Sequence, residues 1–314
     1  MSGNRTILMT GVSGFLGSHI ARHLIANDYD VIALKRTSSK LDRCKDFSDR
    51  ITWINYEELH SNLENILFKR PETFLHVAWS GVKSNDRDEW REQAKNLGLL
   101  AELLQLSKDV SVRKIIAFGS QAEYGLFHDV VDEGHSIEPY SAYGCIKNCA
   151  SQMIKCFAQA NSMQWYWLRL FSIFGPGEEN NWLIPSVIIN LLNHKEMNLT
   201  ACEQEYDYMF VKDLAKAVLV VIREEGDHSG VFNLSTGHPE KLKNIIQYLE
   251  KQLSPDHEVM RIGALPYRAN QVMKMAGNPA KFQETFQCIP DHPVRNALLE
   301  TIEYYKNGYN EGNE

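Results

Sequence analysis

Three glycines, Gly11, Gly14 and Gly17, stand between a short apolar run, Thr6 to Met9, and a stretch in which Phe15, Leu16, Ile20, Leu24 and Ile25 recur at helical spacing. A buried strand therefore feeds into a glycine turn and leaves it as a helix. Gly11 permits the tight turn, Gly14 lets an anion approach the backbone, and Gly17 lets the helix pack closely on the strand. The unpaired N–H groups of the first helical turn face the same anion. This strand–turn–helix context predicts a cradle for the pyrophosphate of a dinucleotide.

The first half of the chain continues in the same way. Strand-like runs at Thr6–Met9, Tyr29–Leu34, Ile51–Ile54, Thr73–Val77, Lys114–Phe118 and Trp165–Leu170 alternate with helical patterns, notably Glu89–Leu106 and Ser141–Ala160. Such alternation predicts a parallel sheet covered on both faces, with ligands at the carboxyl ends of its strands. Beyond Gly175-Pro176-Gly177 the pattern loses regularity, which predicts a smaller lobe closing over the first domain. The segment Asp213–Arg223 is expected to return to that domain, making the lobe discontinuous. The division expected is residues 1–172, with 206–228 returning to them, against 173–205 and 229–314.

A second motif lies mid-chain, in Tyr143-Gly144-Cys145-Ile146-Lys147. Tyr143 and Lys147 are one helical turn apart and project from one face. A free tyrosine holds its proton at neutral pH, with a pKa of about 10, and a neighbouring ammonium favours the phenolate. The pair can move a proton. Ser120 ends the run Lys114–Phe118 at the sheet's carboxyl edge, where its hydroxyl can polarise a substrate carbonyl.

Together the glycine turn and the Tyr-x-x-x-Lys pair resemble the extended short-chain dehydrogenase/reductase family. Further family-like segments are Phe74–Ala78, Asn96 in its long helix, Gly119–Gly125, Leu168–Gly177 and Asp207–Ala215, in family order across nearly the whole chain. The resemblance implies an α/β fold of Rossmann type, a doubly wound parallel sheet with a smaller, discontinuous substrate-binding lobe. It implies Ser120, Tyr143 and Lys147 as catalytic residues. Contacts to a nicotinamide cofactor are implied for Gly11, Ser13, Gly14, Phe15, Leu16, Lys35, Arg36, Asn55, Ala78, Asn96, Tyr143, Lys147 and Phe171. Those to a nucleotide-diphosphate sugar are implied for Trp79, Ser120, Gln121, Ser172, Trp182 and Arg268. No metal is implied, and a homodimer is expected.

The second strand exits into Lys35-Arg36-Thr37-Ser38, where NAD-selective folds usually place an acid for the ribose hydroxyls. Two cations and two hydroxyls suit a 2′-phosphate, with Arg36 able to make the forked contact, so NADP(H) is expected over NAD(H). The family's 4,6-dehydratases use Thr-Asp-Glu where this chain has Ser120-Gln121-Ala122, so the acid–base pair for eliminating water is missing. Its bifunctional GDP-fucose-forming enzymes use a cysteine at the position of Ala122 and a histidine absent from Gly177–Trp182. Reduction of a 4-keto group on a nucleotide-linked 6-deoxyhexose, as in paratose- and abequose-type synthases, is the activity the resemblance then implies. Many relatives have Arg-Asp-aromatic where Tyr206-Asp207-Tyr208 stands, which leaves Arg268 to bind the diphosphate and the nucleotide base open. An NAD-dependent 4-epimerase and a non-catalytic cofactor sensor are the alternatives; the intact Tyr143/Lys147 pair speaks against the sensor.

Composition bounds these readings. At 314 residues with 44% hydrophobic content, the chain can bury one large α/β core and an added lobe. Its net charge of −7 argues against nucleic-acid polymers as partners. The longest apolar run, Ala217 to Ile222, is far short of the roughly 20 residues that span a bilayer, and no secretory signal is visible. Six cysteines without disulfide-like spacing suggest a reducing, cytoplasmic setting. Cys145, Cys149 and Cys156 share a helical face and are expected to fill core space.

Overall fold

The architecture is seen in a computed structural model that describes residues 5–83, 86–254, 259–268, 271–290 and 292–311. Seven strands form one parallel sheet: β1 (Thr6–Thr10), β2 (Asp30–Lys35), β3 (Ile51–Asn55), β4 (Thr73–His76), β5 (Lys114–Ser120), β6 (Gln164–Leu170) and β7 (Gly230–Leu234). Their order across the sheet is β7-β6-β5-β4-β1-β2-β3. The order reverses at β1, so a crevice opens between the carboxyl ends of β1 and β4, where a doubly wound sheet takes its ligand.

Helices cover both faces of the sheet. On one side α1 (Phe15–Ala26) and α6 (Val211–Arg223) lie over Ile7, Met9, Val31, Ile116 and Leu168. On the other, α3 (Trp90–Asp109) and α4 (Ala142–Ala160) cover Leu8, Ile32, Phe74, Ile115 and Trp167. The central strands are apolar on both faces because both are buried, as parallel sheets require. Lys114 is buried at the start of β5, and its ammonium donates to the carbonyls of Val221, Ile222 and Glu224 at the end of α6. A cation at a helix C-terminus satisfies otherwise unpaired carbonyls.

A second core, built on α5 (Leu183–Leu192), α7 (Leu242–Leu253) and α9 (Val294–Glu311), holds the lobe together. Short strands extend it, among them Glu205–Tyr206, Lys274–Gly277 and Val130–Val131 in a four-stranded sheet. Residues of α6 (Asp213–Arg223 within it) pack on α1 in the first core.

Two expectations are corrected. Residues 230–234 are β7 of the main sheet rather than lobe, and Phe282 and Phe286 of α8 (Ala280–Phe286) meet its Phe232 edge-on. The short run Gly230–Leu234 has nothing local to say which sheet it joins; pairing with β6 decides it. Residues 1–4 and 312–314, the outer ends of the expected division, lie outside the described residues. The cysteines of α4 do not fill the core: Cys149 and Cys156 are exposed and Cys145 is half-buried. The inward face is Tyr143, Lys147, Ala150, Ile154 and Ala158, and the cysteines point away from it. No helix among the described residues is long and apolar enough to cross a membrane.

Candidate active site

The glycine turn forms as expected. Gly11 adopts φ +74°, a left-handed conformation that favours glycine, and a Cβ there would stand 2.6 Å from the Ala78 amide nitrogen. A Cβ on Gly17 would overlap the Gly11 carbonyl oxygen at 1.9 Å. Gly14 caps α1 without a side-chain bond, and no acidic residue stands in the first helical turn, so those N–H groups stay open to an anion. Ser13 precedes the cap, and Phe15 and Leu16 follow it, half-buried against the lobe core. The tight turn that Gly11 and Gly17 permit, with the open N–H groups of α1 beyond it, fits a dinucleotide pyrophosphate.

Thr10 and His76 lock the cradle from beneath. The Thr10 hydroxyl accepts from the amides of Val77 and Ala78, both at 3.2 Å, and lies 2.9 Å from His76 Nδ1. Having accepted twice, the hydroxyl donates its own proton to that nitrogen, so the imidazole is neutral. Burial holds His76 neutral too, pushing its pKa down to about 3.

The second-strand exit lies beside the end of β3. Lys35 donates to Asn55 Oδ1 at 2.7 Å, and Arg36 is exposed. Glu57, which the sequence reading missed, accepts from the amide and hydroxyl of Thr37. Asn96 is buried and brackets Ser80, accepting from its N–H at 2.8 Å and donating to its C=O at 3.1 Å. It orders the loop after β4, its amide group donating also to the Gln93 carbonyl at 3.0 Å.

Ser120, Tyr143 and Lys147 converge at the end of β5. Ser120 terminates the strand and caps the turn Gln121–Glu123, accepting from the Ala122 amide at 3.2 Å. Tyr143, on the first turn of α4, has its hydroxyl beside that of Ser120, which favours the phenolate. Lys147 is buried, donates to the Phe118 carbonyl at 2.8 Å, and lies 3.5 Å from the centre of the Trp79 ring. Trp79 also meets Tyr143 edge-on and donates to Gln93. Burial raises the Tyr143 pKa, so the phenol is protonated at neutral pH. Burial lowers Lys147 to about 7, against a partial upward pull from Glu123.

Glu123 is the carboxylate of this turn and is fully buried. It accepts from the Ser120 amide at 2.8 Å, from the Trp167 indole at 3.0 Å and from Arg169 at 2.9 Å. Every strong acceptor direction is engaged, so it fixes the turn and is not free to exchange protons. The half-buried Gln121 beside it stands at the same turn.

The remaining expected residues surround this cluster. Ser172, half-buried, begins the short strand Ser172–Phe174, and Phe171 sits between Phe127 and Gly277. Trp182 caps the start of α5, its ring 5.4 Å from the guanidinium of Arg87. Arg87 is a residue the sequence reading did not single out. Arg268 is exposed, and its charge reaches Tyr206, whose hydroxyl accepts from Gln271 at 2.7 Å. Asp207 is wholly structural: it accepts from the hydroxyls of Ser235 and Thr236 and the amides of Thr236 and Gly237.

A glycine cradle at the sheet's switch point, with a Ser–Tyr–Lys cluster on the neighbouring strand end, defines a Rossmann-type nucleotide-binding protein with a buried acid–base site. The model of the NAD dependent epimerase/dehydratase family matches residues 7–235, and the chain belongs to that family. It is 24% identical over 284 residues to a CDP-abequose synthase of Salmonella muenchen, covering 88% of this chain and 89% of that protein. It is 25% identical over 248 residues to a dTDP-6-deoxy-L-talose 4-dehydrogenase (NAD(+)) of Aggregatibacter actinomycetemcomitans, covering 77% and 88%. Among solved structures it resembles a UDP-glucose 4-epimerase of Thermotoga maritima bound to UDP-glucose, with TM-score 0.85, 25% identity, and 97% and 99% coverage. The family is one of enzymes of epimerase and dehydratase type, and the relatives named here are proteins of CDP-, dTDP- and UDP-linked sugars.

Proposed function

We propose that the protein reduces the 4-keto group of a nucleotide-linked 6-deoxyhexose with NADPH. The observation that carries this reading is the turn after β5. It presents Ser120 and Tyr143 to a substrate, while its carboxylate, Glu123, is consumed by Ser120, Trp167 and Arg169. A carbonyl can be protonated there, but water elimination has no second acid or base in the turn. Two relatives support the sugar class, being named for a CDP-linked sugar and for dehydrogenation at position 4 of a dTDP-linked 6-deoxy sugar. The exposed Arg36 and the Lys35 beside it support NADPH.

A bound nicotinamide supplies the hydride. The chain's own part is to hold the sugar carbonyl oxygen between the Ser120 and Tyr143 hydroxyls and deliver the Tyr143 proton to it. Lys147, beside the same pocket, is suited to bond the nicotinamide ribose, and Gly11, Gly14 and Gly17 to admit the pyrophosphate. Trp79, Gln121, Ser172 and Trp182 would border the sugar, and Arg268 would pair with its diphosphate. On this reading the product is an activated deoxysugar for cell-surface polysaccharide such as lipopolysaccharide, made in the cytoplasm by a homodimer.

A second reading, an NAD-dependent 4-epimerase, is favoured by Glu57, whose carboxylate at Thr37 would repel a 2′-phosphate. One assay separates the two. Purified enzyme with NADPH is offered CDP-, dTDP- and GDP-linked 4-keto-6-deoxyhexoses. A reductase consumes one NADPH per alcohol formed, and Tyr143→Phe slows it by about 10²–10⁴-fold. An epimerase interconverts 4-hydroxy sugars with no net cofactor turnover, and that result would overturn the proposal.

A further inference from the structure

We propose that Arg87 is a positioning residue for the acid–base tyrosine: it holds Tyr143 against Ser120 and stabilises the phenolate left when the proton departs. The inference rests on reading Tyr143 as the proton donor. Arg87 lies on the loop between β4 and α3, and its carbonyl accepts the Tyr143 amide at 2.8 Å, at the start of α4. Its guanidinium stands 4.8 Å from the Tyr143 ring centre and 5.4 Å from that of Trp182. One side chain thus bridges α4 and Trp182, the residue that caps the lobe's α5. Nε is fixed by the Val82 carbonyl at 3.0 Å, and among the described residues no carboxylate pairs with the guanidinium. Arg169 differs, being neutralised by Glu123.

The charge matters because of where the reaction leaves its electrons. Hydride adds to the carbonyl carbon, the C=O π pair moves to oxygen, the Tyr143 O–H bond breaks, and its proton forms the alcohol. The new hydroxyl is neutral and the negative charge remains on the buried phenolate oxygen. Three charged groups face it. Glu123, from the turn after β5, opposes the phenolate, and Arg87 favours it. Lys147, from α4 itself, lies 5.8 Å from the ring centre. Lys147 titrates near 7, so its charge is only partly present at neutral pH, whereas a guanidinium remains charged throughout. Arg87 is therefore the permanent cation of the site, and it also helps hold the Lys147 pKa down.

The test titrates Tyr143 directly. Tyrosinate absorbance is followed against pH for the protein saturated with NADP+ or NAD+, and the Tyr143→Phe trace is subtracted. Arg87→Met is expected to raise the Tyr143 midpoint by about one pH unit or more, since an opposite charge at 4–6 Å shifts a pKa by about that much. Arg87→Lys should recover most of the shift. With the 4-keto sugar, Arg87→Met should lower kcat about tenfold or more while KM stays within about threefold. An unchanged midpoint in a variant with native circular dichroism overturns the proposal. So does a raised KM with an unchanged midpoint, which would make Arg87 a substrate ligand. If Arg87→Met fails to fold, Arg87→Gln, neutral but hydrogen-bonding, gives the same comparison. Near-normal turnover in Tyr143→Phe would remove the proton-donor reading, while the titration would still report whether Arg87 governs the phenol.

Discussion

Glu178 gives the sharpest stability prediction. It follows the turn Gly175-Pro176-Gly177, and its carbonyl accepts the Tyr305 hydroxyl at 2.7 Å. Its carboxylate oxygen Oε2 is buried and has no hydrogen-bond partner among the described residues. Burial pushes the group from its ordinary 4.5 up to about 8. At 1.36 kcal/mol per pKa unit, ionising Glu178 in the folded protein costs about 5 kcal/mol more than in the unfolded chain. The folded state binds this proton more tightly, so stability falls as pH rises from about 4.5 to about 8 and is flat on either side. Glu178→Gln keeps the shape and never ionises. Its own amide mismatch costs about 1–3 kcal/mol at every pH and cancels from the slope. Urea unfolding of both proteins at pH 5.5 and pH 8.5 should show Glu178→Gln gaining about 3 kcal/mol on the native chain across that interval. All other titrations are common to both and drop out of the difference. Parallel curves would mean that the carboxylate is solvated or paired in solution, and the reasoning from burial would fail.

Three further outcomes are expected. Gly17→Ala places a Cβ against the Gly11 carbonyl, which is backbone and cannot yield, so dinucleotide binding by calorimetry should be lost and thermal stability reduced. Glu123→Ala strands the Arg169 guanidinium, and urea unfolding should show a loss of about 3–5 kcal/mol, partly recovered by adding Arg169→Met. Arg36→Asp should weaken NADPH binding tenfold or more and leave NADH binding nearly unchanged in a fluorescence titration; equal effects on both would remove the 2′-phosphate contact.

Much of the fold is legible in the chain because its information is local. The six strands read from apolar runs are observed within a residue or two, since doubly buried strands need unbroken apolar character and no partner identity. Tyr143 and Lys147 come from one helical turn, so spacing alone brings those two together, whereas Ser120 meets them only because α4 packs on β5 and the turn after it. What spacing does not carry is the choice among long-range partners. The strand Gly230–Leu234 is short, and only its register against Tyr166–Leu170 assigns it to the main sheet. The α4 cysteines share a face as expected, but which face turns inward is decided by Tyr143, Lys147 and Ala150 packing toward β5 and β6.

The same distinction separates the charged residues that matter from those that do not. Glu178 and Glu179 are neighbours of identical chemistry; one has a buried oxygen, and the other is exposed and paired with Arg43. Glu123 acquires its meaning from Arg169, 46 positions away. Arg87 lies in Lys83–Arg91, a charge-rich stretch that reads as solvated surface, yet its guanidinium meets Tyr143 from one element and Trp182 from another. Residues that move a proton sit on regular elements and betray themselves by period. Those that set the charge around that proton arrive on loops, where no period exists, and only the folded chain says which cation faces the phenol.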